Sequence, residues 1–185
     1  MLEIDRIVDH HCHGVITADL ERPEYEALMA EAHLPAPKGC SQFDKPLGLL
    51  IRRHCAPLLD LEPHATASDY VARRLELGGQ EASRRLMRAT GVSELLIDTG
   101  HRSDSILDVP QMAEITNCVT REVPRIEAIM EQAAKQASSA TELVDTFDAL
   151  LQVHSKDAIG LKSIVAYRVT FDIDQTDPNR EDVVQ

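Results

Sequence analysis

The chain has 185 residues, 43% hydrophobic and 27% charged, with no tryptophan and a formal net charge of −12. That length supports one domain with a real core but falls short of the ~250 residues of a complete eight-stranded (β/α) barrel. The acidic balance, with no basic stripe, argues against nucleic-acid and anionic-membrane binding, and no run approaches the ~18 apolar residues of a membrane span.

The four cysteines, Cys12, Cys40, Cys55 and Cys118, form no Cys-x-x-Cys pair. That spacing points to free thiols in a reducing compartment rather than a disulfide framework or a zinc knuckle. The N-terminus shows no basic stretch leading into an apolar centre, so no signal peptide is expected and a cytoplasmic location is assigned.

The first predicted element is a strand from Ile7 to His13, preceded by Ile4 and closing on Asp9-His10-His11-Cys12-His13-Gly14. Side chains alternate along a strand, so Asp9, His11 and His13 share one face and Cys12 turns to packing on the other. Two neutral imidazoles side by side at a strand end suit a transition metal, and Asp9 is placed to orient a histidine or approach the ion. The competing reading is a cluster of histidines satisfied by ordinary hydrogen bonds. Two ligands alone do not make a zinc site, which normally draws at least three from protein.

A short helix is predicted over Pro23 to Glu31. The stretch from Leu34 to Pro63 is rich in proline and glycine, and 34–90 as a whole reads as a loop and helical insertion over one end of the sheet, with Arg52, Arg53 and His54 facing the site from above. Ala67 to Ala89 reads as a helix pair broken at Gly78-Gly79, with Gly91 as a C-terminal cap. The second strand runs from Ser93 to Thr99 around Leu95-Leu96-Ile97-Asp98. Asp108 and Pro110 supply an N-cap and a first-turn proline for a helix ending near Asn117 to Thr120. A third strand is expected over Val123 to Glu127. Ser139-Ala140-Thr141-Glu142 then fits a capping box, leading into Leu143, Phe147, Leu150 and Leu151 on one helix face. The fourth strand spans Ile159 to Tyr167, and Asp177-Pro178 opens a further helix.

Strands alternating with helices, three of them near-continuous apolar runs, define an α/β protein built of parallel (β/α) units. A doubly wound sheet is the other arrangement of such units, and it would reverse strand order around the first strand.

Lys162 interrupts an apolar strand, where a lysine is costly unless paired, neutral or bound. A catalytic part and a plain pairing with Glu127 or Asp98 are both open. Asp98 and Glu127 end the second and third strands, at the carboxyl edge where parallel barrels build their sites. Each reads as a catalytic or substrate contact, or as the cap of a following turn. Tyr167 and Arg168 follow the fourth strand, and a guanidinium there suits a substrate carboxylate, with a surface ion pair as the alternative. His33, His64, His101 and His154 have no partner pattern and read as surface or capping residues. There is no glycine-rich phosphate loop and no nucleophile elbow.

Four segments occur in order: Val8-Asp9-His10-His11-Cys12-His13-Gly14; Leu47-Gly48-Leu49 before Cys55-Ala56-Pro57; Leu96-Ile97-Asp98-Thr99-Gly100; and Gly160-Leu161-Lys162-Ser163-Ile164 with Ala166-Tyr167-Arg168. Together they resemble the amidohydrolase superfamily, in its amidohydrolase-related branch of metal-dependent TIM-barrel hydrolases. The resemblance implies that residues 1–185 are a single partial domain, the N-terminal half of a TIM-barrel-like fold with about four βα units. It implies His11 and His13 as ligands of a divalent metal ion, zinc foremost, with metal-activated water attacking a C–N or ester-like bond of a small-molecule substrate. In many members a lysine ending the fourth strand is carboxylated and bridges two metals, a further role for Lys162; relatives assist decarboxylation instead. The family's other two histidines, from strands five and six, and its aspartate from strand eight have no counterpart in these residues. The chain is therefore expected to be inactive alone. An exposed half-barrel edge favours self-association into a homo-oligomer, and a non-catalytic oligomerising remnant with a vestigial metal site is the alternative reading.

Overall fold

The computed structural model describes residues 6–30 and 36–172. Ile4, His33, Leu34 and the helix expected at Asp177-Pro178 lie outside the described residues.

Strand β2 (Glu94–Asp98) forms the middle of a three-stranded parallel sheet, between β1 (Val8–Cys12) and β3 (Val119–Val123). Its apolar centre explains that position, because Leu95 and Ile97 are buried and a central parallel strand is covered on both faces. They pack with Met112 and Ile115 of helix α5 (Val109–Thr116), over which Cys12, Val15 and Met87 close. At the amino ends of the strands the buried Glu94 accepts from Arg121 Nε at 2.7 Å and also pairs with Arg6, tying the three strands together. Among the described residues the order β1-β2-β3 follows the sequence, an order that a parallel barrel and the first three strands of a doubly wound sheet share.

Between β1 and β2 the chain builds a helical segment with its own core. Helices α1 (Arg22–Leu28), α2 (Pro46–Leu50), α3 (Ala67–Leu77) and α4 (Gly79–Arg88) surround Phe43, Leu59, Tyr70 and Val71. Tyr25 stacks on Phe43 with ring centroids 5.7 Å apart, and Tyr70 meets both edge-on. The break between α3 and α4 falls at Gly78, whose φ of 79° lies where a side chain is strained. In place of a side-chain cap, the Asp19 carboxylate accepts from the Gly79 amide at 2.7 Å.

The predicted cap of α5 forms as a reciprocal pair: Gln111 N donates to Asp108 Oδ1 at 2.8 Å, and Asp108 N donates to Gln111 Oε1 at 2.9 Å. Asn117, in the left-handed region, ends the helix. The third strand therefore starts at Val119, four residues before the position expected from sequence. Pro124 ends it, since proline has no amide hydrogen for the ladder, and Ile126 already opens helix α6 (Ile126–Gln136). Helix α7 (Ala140–Ser155) packs on α6 through the half-buried face of Leu143, Phe147, Leu150 and Leu151. Ser139 Oγ caps it by accepting from Glu142 N at 3.2 Å, but the Glu142 carboxylate takes the Ser138 amide, one residue before the expected reciprocal donor.

The expected fourth strand, Ile159 to Tyr167, is not a strand. Lys162 alone makes a parallel bridge to Arg125: its amide donates to Pro124 O at 3.0 Å and its carbonyl accepts from Ile126 N at 2.9 Å. Ile159 and Leu161 stay exposed beside it, and the chain then turns into the short helix α8 (Val165–Arg168). A segment with one backbone neighbour and little apolar burial lacks the contacts that hold a full strand. Among the described residues, no helix is long and apolar enough to cross a membrane.

Candidate metal centre

His11 and His13 stand at the carboxyl end of β1 and Asp98 at the carboxyl end of β2, and one ligand atom from each lies within 4.8 Å of the others. Parallel pairing puts both strand ends at the same edge of the sheet. The β1–β2 register shifts between Asp9 and Cys12, so the histidines leave the ladder where it is irregular. The Asp9 carboxylate accepts from the His11 amide at 3.1 Å, so it orients the backbone of that residue rather than its ring. The two imidazoles meet edge to face with centroids 5.3 Å apart.

Their protonation follows from their neighbours. His13 Nδ1 lies 3.0 Å from the Asp98 carbonyl oxygen. A carbonyl only accepts, so Nδ1 carries a hydrogen and Nε2 is the nitrogen left for a metal, the arrangement by which proteins orient a metal-binding histidine. His11 titrates below its ordinary 6.5, because of burial first, then the positive charge of Lys162 and of His13. Asp98 is fully buried and accepts from Arg125 Nη2 at 2.6 Å and from Gly100 N at 2.9 Å. Burial pushes its carboxyl up, but the Arg125 and Gly100 donors outweigh that and hold it below the ordinary value. The site thus offers two imidazole rings and a carboxylate with lone pairs to spare. That donor set fits a divalent transition metal.

Lys162 pairs with neither Asp98 nor Glu127, as sequence had allowed. Asp98 is taken by Arg125, and the Lys162 ammonium lies 5.5 Å over the Tyr167 ring. Glu127 is in the first turn of α6 rather than at a strand end, where its Oε1 accepts from Ser163 Oγ at 2.5 Å and from Ile164 N at 2.9 Å. Burial pushes its carboxyl up, but the Ser163 and Ile164 donors and Arg125 hold it below the ordinary range. Tyr167 and Arg168 are exposed on α8, and Arg168 makes no side-chain hydrogen bond among the described residues. Arg52 does not face the site: its guanidinium holds the carbonyls of Ala65 and His64 at 2.6 and 3.0 Å, while Arg53 and His54 are exposed. Cys12 turns inward as alternation predicted, and burial pushes its thiol up to about 11.

His101 is the residue that sequence reasoning missed. Its ring centroid is 4.9 Å from that of His13, and burial first, then His13, lowers its titration. Its signal was its position three residues past Asp98, on the loop leaving the carboxyl end of β2. His13 and His101 together form one wall of a cleft of about 390 Å³ that runs over Val15, Ile16, Leu86 and Ile106. Gly14 permits this wall, because a Cβ there would overlap the carbonyl oxygen of Leu107, whose amide donates to Val15 O at 3.0 Å.

No family model and no curated protein matches the chain. Among solved structures it is similar to a putative metal-dependent hydrolase from Lactobacillus casei, at 26% sequence identity and a TM-score of 0.61. The match covers 89% of this chain and 43% of that protein, so the chain spans less than half of its neighbour's length. The likeness supports a metal-dependent-hydrolase-like α/β fold.

Proposed function

We propose that this chain carries the metal-binding part of a hydrolase of amidohydrolase type, acting on a C–N or ester-like bond of a small molecule. The observation that carries the reading is the convergence of His11, His13 and Asp98 at one strand edge, supported by the hydrolase description of the structural neighbour. A divalent ion held there, zinc foremost, would lower the pKa of bound water and so supply hydroxide near neutrality. The chain's own residues do the rest. The carbonyl of Asp98 fixes the His13 tautomer, and Arg125 and the Gly100 amide keep the Asp98 carboxylate ionised and aimed.

Lys162, with Tyr167 and Arg168 beyond it, is assigned to the rim as a set of substrate contacts. Glu127 shapes that rim by holding Ser163 and Ile164. The half-barrel reading draws support from the sequential parallel order and from the Lys162 bridge, which continues it by one step. Self-association is part of the proposal and rests on the apolar side chains exposed just before the Lys162 bridge and after α8: Ile159, Leu161, Val169 and Phe171. The free thiols of all four cysteines support a cytoplasmic setting.

Elemental analysis of protein purified without chelators or an affinity tag tests the site directly. Near-stoichiometric metal in the wild type, lost in His11→Ala/His13→Ala and reduced in Asp98→Asn, is expected. A metal-free wild type that also fails to take up added zinc overturns the reading in favour of a non-catalytic remnant.

A further inference from the structure

The cleft beside the histidines has a chemical character of its own. Its walls are apolar, formed by Val15, Ile16, Leu20, Leu86, Met87 and Ile106, and among the described residues no carboxylate lines it. Two arginines do, Arg74 and Arg102. In a chain of net charge −12 that is unusual, because acidic side chains have claimed most of the arginines. Arg6, Arg22, Arg52, Arg73, Arg84, Arg85, Arg121 and Arg125 all have carboxylate partners, and Arg88 holds the carbonyls of Glu114 and Ile115.

Among the described residues, Arg53, Arg74, Arg102 and Arg168 have no such partner, and of these four Arg74 and Arg102 line the cleft. Arg74 instead lies over the face of Tyr25, 5.0 Å from its centroid, a stacking that holds the guanidinium plane while leaving its edge donors unused. Arg102 follows His101 directly and sits in the left-handed region at φ 51°, a conformation uncommon for a side chain of its size. The volume of about 390 Å³ falls toward the small end of the roughly 300–1,000 Å³ typical of small-molecule sites.

We infer that the cleft binds a compact amphiphilic carboxylate, its apolar body against Leu86, Met87 and Ile106 and its carboxylate on Arg102 and Arg74. The assignment rests on the proposed hydrolase reading for its catalytic meaning, since the same cleft opens at His13. It names the substrate class as a small organic acid with an aryl or alkyl body. A planar guanidinium matches a carboxylate by two parallel hydrogen bonds, whereas an amide or alcohol of the same shape offers it no charge.

The test uses metal-free, EDTA-treated protein, so that its outcome is independent of the metal site, whose occupancy is measured separately. Binding of 3-phenylpropionate and octanoate is compared by calorimetry with binding of the corresponding amides. Each acid should bind at least about tenfold more tightly than its amide, the scale of one charge-assisted hydrogen bond. Arg102→Gln and Arg74→Gln should each remove most of that preference, with circular dichroism unchanged, and rising salt should weaken the acids alone. Acids and amides of equal affinity, no detectable binding of either acid, or a preference that survives the Arg102→Gln/Arg74→Gln double substitution would each overturn the inference. Metal uptake by a protein that fails this test would leave the hydrolase reading standing without this substrate class.

Discussion

Replacing Arg125 with methionine probes the electrostatic frame of the site. Its side chain is 12% exposed and reaches the fully buried carboxylate of Asp98 at 2.6 Å. Each charge makes the other tolerable away from water, so removing one leaves its partner buried and uncompensated, at a cost of about 3–5 kcal/mol. Against a usual domain stability of about 5–15 kcal/mol this is a large share. The pH dependence is the sharper signature. In the wild type the Arg125 and Gly100 donors overcome the upward push of burial and hold Asp98 below its ordinary 3.8. Its ionised form therefore contributes stability fully above that value, and the contribution is lost as pH falls through the lower folded one.

Without the guanidinium, burial, already the largest influence, is opposed only by the Gly100 amide and His13, and the sign reverses. The carboxyl then titrates above its ordinary value, and ionising it within the fold is penalised increasingly as pH rises. In urea unfolding, the gap between wild type and Arg125→Met should be widest near neutrality and narrow steadily toward pH 4. Arg125→Met/Asp98→Asn should recover most of the loss at neutral pH, because no buried charge remains. A gap that does not change with pH, or a cost below about 1 kcal/mol like that of a surface pair, would refute the reasoning.

NMR titration of the metal-free protein should find His11 below its ordinary 6.5, and Lys162→Met should move it upward without restoring 6.5, because burial remains the larger cause; an unchanged midpoint would remove Lys162 from the site's field. Gly14→Ala should cost on the order of 1–3 kcal/mol through the clash with the Leu107 carbonyl, and it should weaken ligand binding in the cleft, both measurable by thermal unfolding with and without 3-phenylpropionate. Sedimentation at micromolar concentration should give a mass above the monomer, reduced to it by Leu161→Asp/Phe171→Asp; a monomeric wild type would remove self-association from the proposal.

The parts of the fold legible in sequence are those whose causes are local. The Asp108 cap, the Gly78 break and the apolar centre of β2 each depend on residues within a few positions of one another. The third strand was misplaced because its reasons lie elsewhere. Val119-Thr120-Arg121-Glu122-Val123 reads as polar, but Arg121 is satisfied by Glu94 on the neighbouring strand, 27 residues away. The run from Ile159 to Tyr167 errs in the opposite direction: its apolar residues describe a strand, but the described sheet gives it one backbone neighbour, and only Lys162 bridges.

The site divides along the same line. His11 and His13 declare themselves by alternation on a single strand, so two of three candidate ligands are visible without any fold. Asp98 can be read as an acidic residue at a strand end, but its state cannot, because that depends on Arg125 across the sheet edge and on the Gly100 amide. His101 has no local pattern at all, and its nearness to His13 exists only once β1 and β2 pair in parallel and bring their carboxyl ends together. The same pairing sets the two histidines beside a cleft whose arginines come from α3 and from the loop after β2. If that cleft binds an organic acid, recognition and metal chemistry meet at the carboxyl ends of β1 and β2, with Arg74 of α3 added to the first, and displacing the segment that leaves β1 at Gly14 should disturb both at once. Metal uptake and carboxylate binding measured together in Gly14→Ala decide this: joint loss is expected, and loss of one with the other intact would separate the two sites.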